Sequence, residues 1–298
     1  MPSDLFRTGR IFMLDGALGT ELERRGIDTS QAGWTSRANL THPDLVREIH
    51  EEYIRSGADI ITANTFRTNP RAHRTTGLNA EELTKRGIEL AIEARSRCAR
   101  SVLIAGSIAP AEDCFSPELV PDDSEALFRE HAAMAKWITD AGANIILIET
   151  MNSLQEAELA LGAARSVSDL PIIVSLVIRD SRHMLDGTLL SGAVNALGDA
   201  DLLSINCTQL SILSAAPEEF VRLSKAAGVP FGFYPNSSEH RYNGEWELRS
   251  HSDEEIASAA QHYIDLGATL VGSCCGTTPA TTKAISAILR YKEKAPLK

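Results

Sequence analysis

Eight short, β-branched apolar runs recur along this 298-residue chain, each followed by a polar or glycine-containing turn and then a stretch with helical spacing. They fall at 11–16, 59–66, 101–108, 144–150, 171–178, 202–208, 230–236 and 269–275. Three are introduced by nearly the same phrase: "SGADIITANTF" from Ser56, "AGANIILIETM" from Ala141 and "LGATLVGSCCG" from Leu266. In each, an amphipathic stretch closes at Gly, Ala follows, and the strand begins, which is how a helix C-cap feeds a buried parallel strand. In "NLTHPDLVREIHEEYIRSG" a helix start is predicted with Thr41 as cap and Pro43 in the first turn, and with Leu45, Ile49 and Tyr53 on one face. Eight such units without a Pro/Gly/Ser-rich linker favour an α/β fold, a single (β/α)8 TIM barrel occupying 1–298 as one domain, over the competing doubly wound open sheet. In a barrel every strand's C-terminal end opens on the same face, where substrates bind.

Composition narrows the function classes. Hydrophobic residues make up 43% and charged residues 23%, a balance that buries a large core. The net charge of −11, with its one basic cluster confined to 290–298, argues against nucleic acid as a partner. The apolar stretch near the start is about five residues, too short for a secretory signal, and no run approaches the roughly 18 residues of a membrane span. Five cysteines, an odd number, fit a reducing cytoplasm better than a disulfide framework.

The ends of the predicted strands carry Asp15 and Gly16, Asn64 and Thr65, Ser107, Glu149, Arg179, Asn206 and Cys207, Asn236, and Cys274 with Cys275. A barrel would bring these distant positions together. Cys98 falls near a helix end and Cys114 in a loop, so three of the five cysteines belong to this ring. Three converging thiolates suit Zn²⁺, a borderline-soft ion that prefers four ligands, and the open fourth position points to catalysis rather than structure. Adjacent cysteines make a poor disulfide with each other but can share an ion if the backbone turns sharply, and Gly272 and Gly276 flank the pair. The plainer alternative is that a buried Cys is a small hydrophobe. A redox pair is a third reading, although CxxC spacing is missing. No histidine stands at a predicted strand end, and neither a P-loop nor a strand-linked GxGxxG occurs. Glu149, behind five apolar residues, is either a solvated core-edge acid or the partner of a substrate ammonium; Asp15-Gly16 is equally a plain turn.

Taken in order, "LDGALGTELERRG", "NLTHPDLVREIHEEYIRSGADIITANTF", "GSIAP", "IETMNSLQEAELAL", "SINCT", "YPNS" and "GSCCGTTP" closely resemble the homocysteine S-methyltransferase family over about residues 13–290. The resemblance implies a zinc-bearing barrel that methylates the sulfur of homocysteine to give methionine. It places zinc thiolates at Cys207, Cys274 and Cys275, which become the catalytic group because zinc activates the substrate thiol. It places the homocysteine-binding loop at Asp15 and Gly16, and the acid for the substrate ammonium at Glu149. Thr65 and Asn236, from the same ring, are taken as substrate contacts.

Members of this family differ in methyl donor. Trp34 in "GWTS" matches a donor-side tryptophan of the betaine-using branch, where an indole face suits an ammonium or sulfonium methyl. The other aromatics of that branch are replaced by Arg67 and Thr150, while "YPNSSEHRYNGEWE" resembles the S-methylmethionine-using branch. A sulfonium donor, S-methylmethionine or S-adenosylmethionine, is therefore expected. Betaine, a folate, or a corrinoid delivered by another protein is the alternative, since "TANTF" and "CCGTTP" are also close to cobalamin-dependent enzymes. A reading of another class is a zinc-binding or redox-sensing barrel without methyl transfer, which would have no need of Glu149. The expected partners are small molecules, homocysteine and its donor, without nucleic acid or membrane. Oligomeric state and the choice between homocysteine, selenohomocysteine and another thiol are open at this level.

Overall fold

The computed structural model describes residues 4–215, 217–237, 239–240, 246–247 and 251–294. Eight parallel strands form the wall: β1 Phe12–Met13, β2 Ile60–Ala63, β3 Leu103–Ile108, β4 Ile145–Met151, β5 Ile172–Leu176, β6 Leu202–Gln209, β7 Phe231–Asn236 and β8 Leu270–Val271. Their order is β1-β8-β7-β6-β5-β4-β3-β2, and a bridge between Leu14 and Ile60 joins the two ends into the expected barrel. Helices alternate with the strands, among them Pro43–Ser56, Ala80–Arg97, Ser124–Asp140, Leu154–Val167, Asp253–Leu266 and Pro279–Lys294. Every position of β4 and β5 is buried, the signature of strands covered on both faces. A separate cluster fills the barrel interior, including Phe12, Ile60, Ile145, Leu147, Leu202 and Leu270. Phe6 packs edge-on against Phe12 at 5.4 Å and plugs the N-terminal end, so the opposite end alone is left open for a ligand.

The repeated Gly-Ala phrases work as the sequence suggests. Gly57 and Gly267 sit in the left-handed region at helix ends, and the amides of Ala58 and Ala268 reach back to the carbonyls of Tyr53 and Tyr263. The residue after the Gly-Ala pair has a further task in two of them. Asp59 Oδ2 accepts from Met13 N at 3.0 Å and Asn144 Oδ1 from Ile104 N at 3.0 Å, and Asp201 Oδ2 does the same for Ile172 N at 2.6 Å. Each side chain thus satisfies an amide within the first two residues of a neighbouring strand.

Three local expectations are corrected. Thr41 does not cap the helix that follows: it ends the short helix Ala38–Thr41, its hydroxyl donates to Arg37 O, and His42 precedes Pro43 without a side-chain cap bond. The runs at 11–16 and 269–275 give strands of only two residues, with inter-strand bonds continuing through Leu14, Asp15 and Gly272 as the backbone enters the open end. Arg179 turns outward, with a side chain 55% exposed beside Asp180, so it takes no part in the ring of strand ends. Among the described residues no helix is long and apolar enough to cross a membrane. The side chains of the basic cluster at 290–298 lie outside the described residues.

Candidate active site

A cavity of about 460 Å³ opens at the C-terminal ends of the strands, within the size range of small-ligand sites. Cys207, Cys274 and Cys275 all line it, and their sulfurs lie within 4.8 Å of one another. Cys275 Sγ is 3.8 Å from Cys207 Sγ and 4.0 Å from Cys274 Sγ. Sulfurs at about 2.3 Å from a tetrahedral ion stand about 3.8 Å apart, so these two edges already have the length that a thiolate-bound metal needs. The third edge differs from the expectation of three separate thiols: the Cys207 and Cys274 sulfurs are in direct contact, with Cα atoms 5.7 Å apart, a span within disulfide range. Facing strand ends bring these two side chains together from opposite sides of β7. Burial, reinforced by the charge of Glu149, pushes the Cys275 thiol up to about 12, so a thiolate at this position needs a neighbouring cation. The donor set therefore fits a soft divalent metal.

The backbone is strained where it presents these groups. Thr150 and Cys207 have φ of 61° and 46°, and the pairing register of β4 with β5 and of β6 with β7 shifts at each. Non-glycine residues with positive φ cost about 1 kcal/mol or more and persist where neighbours over-determine them. Asn206 is that neighbour: its Oδ1 accepts from Thr150 N at 3.0 Å and its Nδ2 donates to Thr150 Oγ1 at 2.9 Å. Asn236 Nδ2 donates to Cys207 O at 3.0 Å. One amide side chain thus ties the bulge after Glu149 to the bulge that carries Cys207.

Glu149 is 8% exposed, accepts from Ser107 Oγ at 2.6 Å and Tyr234 Oη at 3.2 Å, and is pushed by burial to about 7 against the pull of those two hydrogen bonds. Asp15 is 2% exposed and accepts from Thr62 N at 2.8 Å and Thr62 Oγ1 at 2.9 Å, yet burial, with the Glu149 charge adding to it, drives it up to about 8. Two carboxyls raised by desolvation in one cavity gain most from a ligand that brings positive charge.

The segments after β1, β2 and β3 make a different wall. Trp34 packs edge-on to Phe66 at 5.9 Å, and the Arg67 guanidinium lies 5.4 Å from the Phe66 ring centroid. Gly19 makes room for the indole, since a Cβ there would stand 2.0 Å from its Cη2. Asn64 anchors the loop carrying Trp34 by accepting from Thr35 Oγ1 at 2.9 Å and donating to Thr35 O at 3.0 Å. Cys114 and Phe115 complete this side.

Of the residues singled out in the sequence, Asp15, Gly16, Trp34, Glu149, Cys207, Cys274 and Cys275 line the cavity together. Thr65 and Asn236 do not. Thr65 is wholly buried with its hydroxyl exchanged against Ser107 N and O at 2.8 Å each, and Asn236 is spent on the Cys207 carbonyl. Part of the stretch Tyr234–Glu247, which carries the donor resemblance, lies outside the described residues; Tyr234 within it lines the cavity. Sequence reasoning missed Phe66 and Cys114 as cavity residues, and Tyr234 and Asn206 as partners, because each depends on where a loop or bulge turns.

A family profile of homocysteine S-methyltransferases matches residues 12–289. The homocysteine S-methyltransferase of Escherichia coli (strain K12) is 31% identical over 297 residues, spanning 93% of this chain and 94% of the relative. The selenocysteine Se-methyltransferase of Brassica oleracea var. italica is 29% identical over 313 residues, spanning 94% and 89%. Among solved structures, the metallated form of the homocysteine methyltransferase MmuM from Escherichia coli superposes with a TM-score of 0.82 at 28% identity, covering 95% of this chain and 98% of that one. With its cluster of three sulfurs, its buried acid and a profile match that runs through almost all of its length, the chain belongs to the homocysteine S-methyltransferase family.

Proposed function

We propose that this enzyme moves a methyl group from a small sulfonium donor, S-methylmethionine or S-adenosylmethionine, to the thiol of homocysteine, with Zn²⁺ held by Cys207, Cys274 and Cys275. The observation that carries the reading is the meeting of this sulfur cluster with the buried acid Glu149 in one cavity. Three sulfur donors favour a borderline-soft ion such as zinc over hard, oxygen-seeking cations. When bound, the ion supplies the positive charge that keeps a substrate thiol deprotonated at neutral pH.

The chain's own groups set the geometry. Ionised Glu149, oriented by Ser107 and Tyr234, holds the acceptor ammonium; the turn at Asp15-Gly16 faces the acceptor's amino-acid end. A Cβ on Gly16 would stand 2.9 Å from both Thr277 Oγ1 and the Tyr53 ring, so the turn fits only glycine. Trp34 and Phe66, which both line the cavity, would supply the aromatic surface for a methylated cation. In the transfer, the acceptor sulfur forms a bond to the methyl carbon as the donor's carbon–sulfonium bond breaks. The bond pair stays on the donor sulfur, which leaves as a neutral thioether, and the acceptor proton passes to solvent. Such an in-line displacement depends on positioning above all.

The Brassica relative favours a second acceptor reading, a selenol such as selenocysteine, which the same site would bind through the same ammonium contact. The compartment proposed for this activity is the cytoplasm, where thiols of such a site are kept reduced. The test is product formation by zinc-loaded protein from homocysteine with S-methylmethionine, betaine and methyltetrahydrofolate in parallel, and with selenocysteine as rival acceptor. Methionine formed from S-methylmethionine and abolished by a chelator supports the proposal. Chelator-resistant turnover, or turnover with methyltetrahydrofolate alone, refutes it.

A further inference from the structure

Arg67 is the one Lys, Arg or His among the described residues that line the cavity. In a chain of net charge −11 this guanidinium is half-buried and has no carboxylate within ion-pair distance among the described residues. The acids that line the same cavity, and Glu112 beside it, are already engaged. Glu112 gives Arg67 only its carbonyl, while its carboxylate takes Arg71 and Arg74 at 3.7 and 3.0 Å. Asp15 is held by Thr62, Glu149 by Ser107 and Tyr234, and Asp113 Oδ1 accepts from Phe115 N at 2.8 Å. The arginine is nonetheless anchored: one terminal nitrogen, Nη1, donates to Pro110 O at 3.1 Å and to Glu112 O at 2.6 Å, and its Cζ stands over the Phe66 ring at 5.4 Å from the centroid. Those two carbonyls use both hydrogens of Nη1. Among the described residues the other edge, Nε with Nη2, has no acceptor, and it is an edge that matches a carboxylate with two parallel hydrogen bonds.

We infer that Arg67 is the specificity residue for the methyl donor: its free edge binds a donor carboxylate while Trp34 and Phe66 face the methylated onium centre. The donor class is therefore zwitterionic, a carboxylate and a sulfonium or quaternary ammonium in one small molecule. This rests on the acceptor assignment above. The acceptor occupies the sulfur cluster, Glu149 and the Asp15-Gly16 turn, so the segment after β2 faces what remains of the cavity. A partly buried cation without an anion is costly, and a substrate carboxylate completes it.

The test compares S-methylmethionine with (3-aminopropyl)dimethylsulfonium, the same cation without its carboxylate, at saturating homocysteine. The wild-type enzyme is expected to prefer the carboxylate by about 10–100-fold in kcat/KM, the range of a charge-assisted hydrogen-bond pair. Arg67→Met should erase the preference by lowering kcat/KM for S-methylmethionine alone, with homocysteine KM and metal content unchanged. Arg67→Lys should fall between, because a point charge replaces the fork. A wild-type ratio near unity overturns the inference without any variant, even if loss of the Nη1 contacts disturbs the loop. An effect of Arg67→Met on homocysteine KM instead would assign the arginine to the acceptor and overturn it too. The same ratio measured with betaine against choline separates the two readings. Turnover of betaine without turnover of any sulfonium would refute the donor proposed above, and a betaine-over-choline preference that Arg67→Met erases would then support the role of Arg67 while a ratio near unity overturns it; silence with all onium donors refutes both.

Discussion

The two halves of the cavity are built on different physics. The ends of β4, β6, β7 and β8 supply Glu149, Cys207, Tyr234, Cys274 and Cys275, polar groups buried or half-buried, with strained backbone at Cys207 and hydrogen bonds fixing Glu149. The segments after β1, β2 and β3 supply Trp34, Phe66, Arg67, Cys114 and Phe115, rings and one cation carried on loops. Under the proposed function, one half would hold the acceptor's thiol and ammonium, and the other the donor's methylated cation. The difference shows how one barrel can keep its acceptor chemistry fixed while its donor changes: the first half depends on the strands, the second on loops that alter without touching the core.

The sharpest break in this division is Cys207→Ala. Removing one sulfur should cost the metal and lower turnover by about 1,000-fold or more, read as zinc content and methionine formed, whereas Cys98→Ala, remote at a helix end, should change neither. Next is Glu149→Ala, expected to raise homocysteine KM by about 30–100-fold with metal content intact and donor KM little changed, since a charge-assisted contact to the ammonium is lost. Loss of zinc in that variant would merge two functions that are separate here. The third effect is one of pH. Burial raises Glu149 to about 7, and only its ionised form holds an ammonium, so kcat/KM for homocysteine should fall by up to about tenfold per pH unit below that value. The sign is fixed because a raised carboxyl is protonated on the acid side of its own pKa; Glu149→Gln should flatten that limb. Smallest is Trp34→Ala, expected to raise donor KM by about 3–10-fold and leave homocysteine KM alone, the size of a cation–π contact. Gly19→Ala should act in the same direction, because its Cβ would displace the indole.

Most of the barrel could be read from the chain because its signals are local. The Gly-Ala phrases mark helix ends wherever they occur, and the burial of β4 and β5 needs nothing beyond their apolar runs. The sulfur cluster was legible for a related reason: strand ends converge in any barrel, whatever the loops do. Thr65 and Asn236 stand outside the cavity lining, since a residue at a strand end points either into the cavity or into the wall, and here both bond to a neighbouring strand. The tie between Asn206 and the left-handed Thr150 left no trace, because a bulge arises from two strands that disagree in register and neither strand states it alone. Arg67 could be named from the sequence, but its lack of an acidic partner is a property of the folded surroundings.

The short seam of the barrel has a consequence for how occupancy could be observed. β1 and β8 pair through Phe12–Leu270 and Met13–Val271 only, and β1 meets β2 through one bridge beside the Asp59 carboxylate. Amides there, including Leu14, Asp15 and Gly272, are expected to trade their hydrogens with solvent sooner than those of β4 and β5, whose ladders are longer. The Asp15-Gly16 turn and the Cys274-Cys275 pair continue from the ends of these same two strands. A ligand bridging them would close the seam, so slowed deuterium uptake at Leu14 and Gly272 would register filling of the cavity even when no turnover follows.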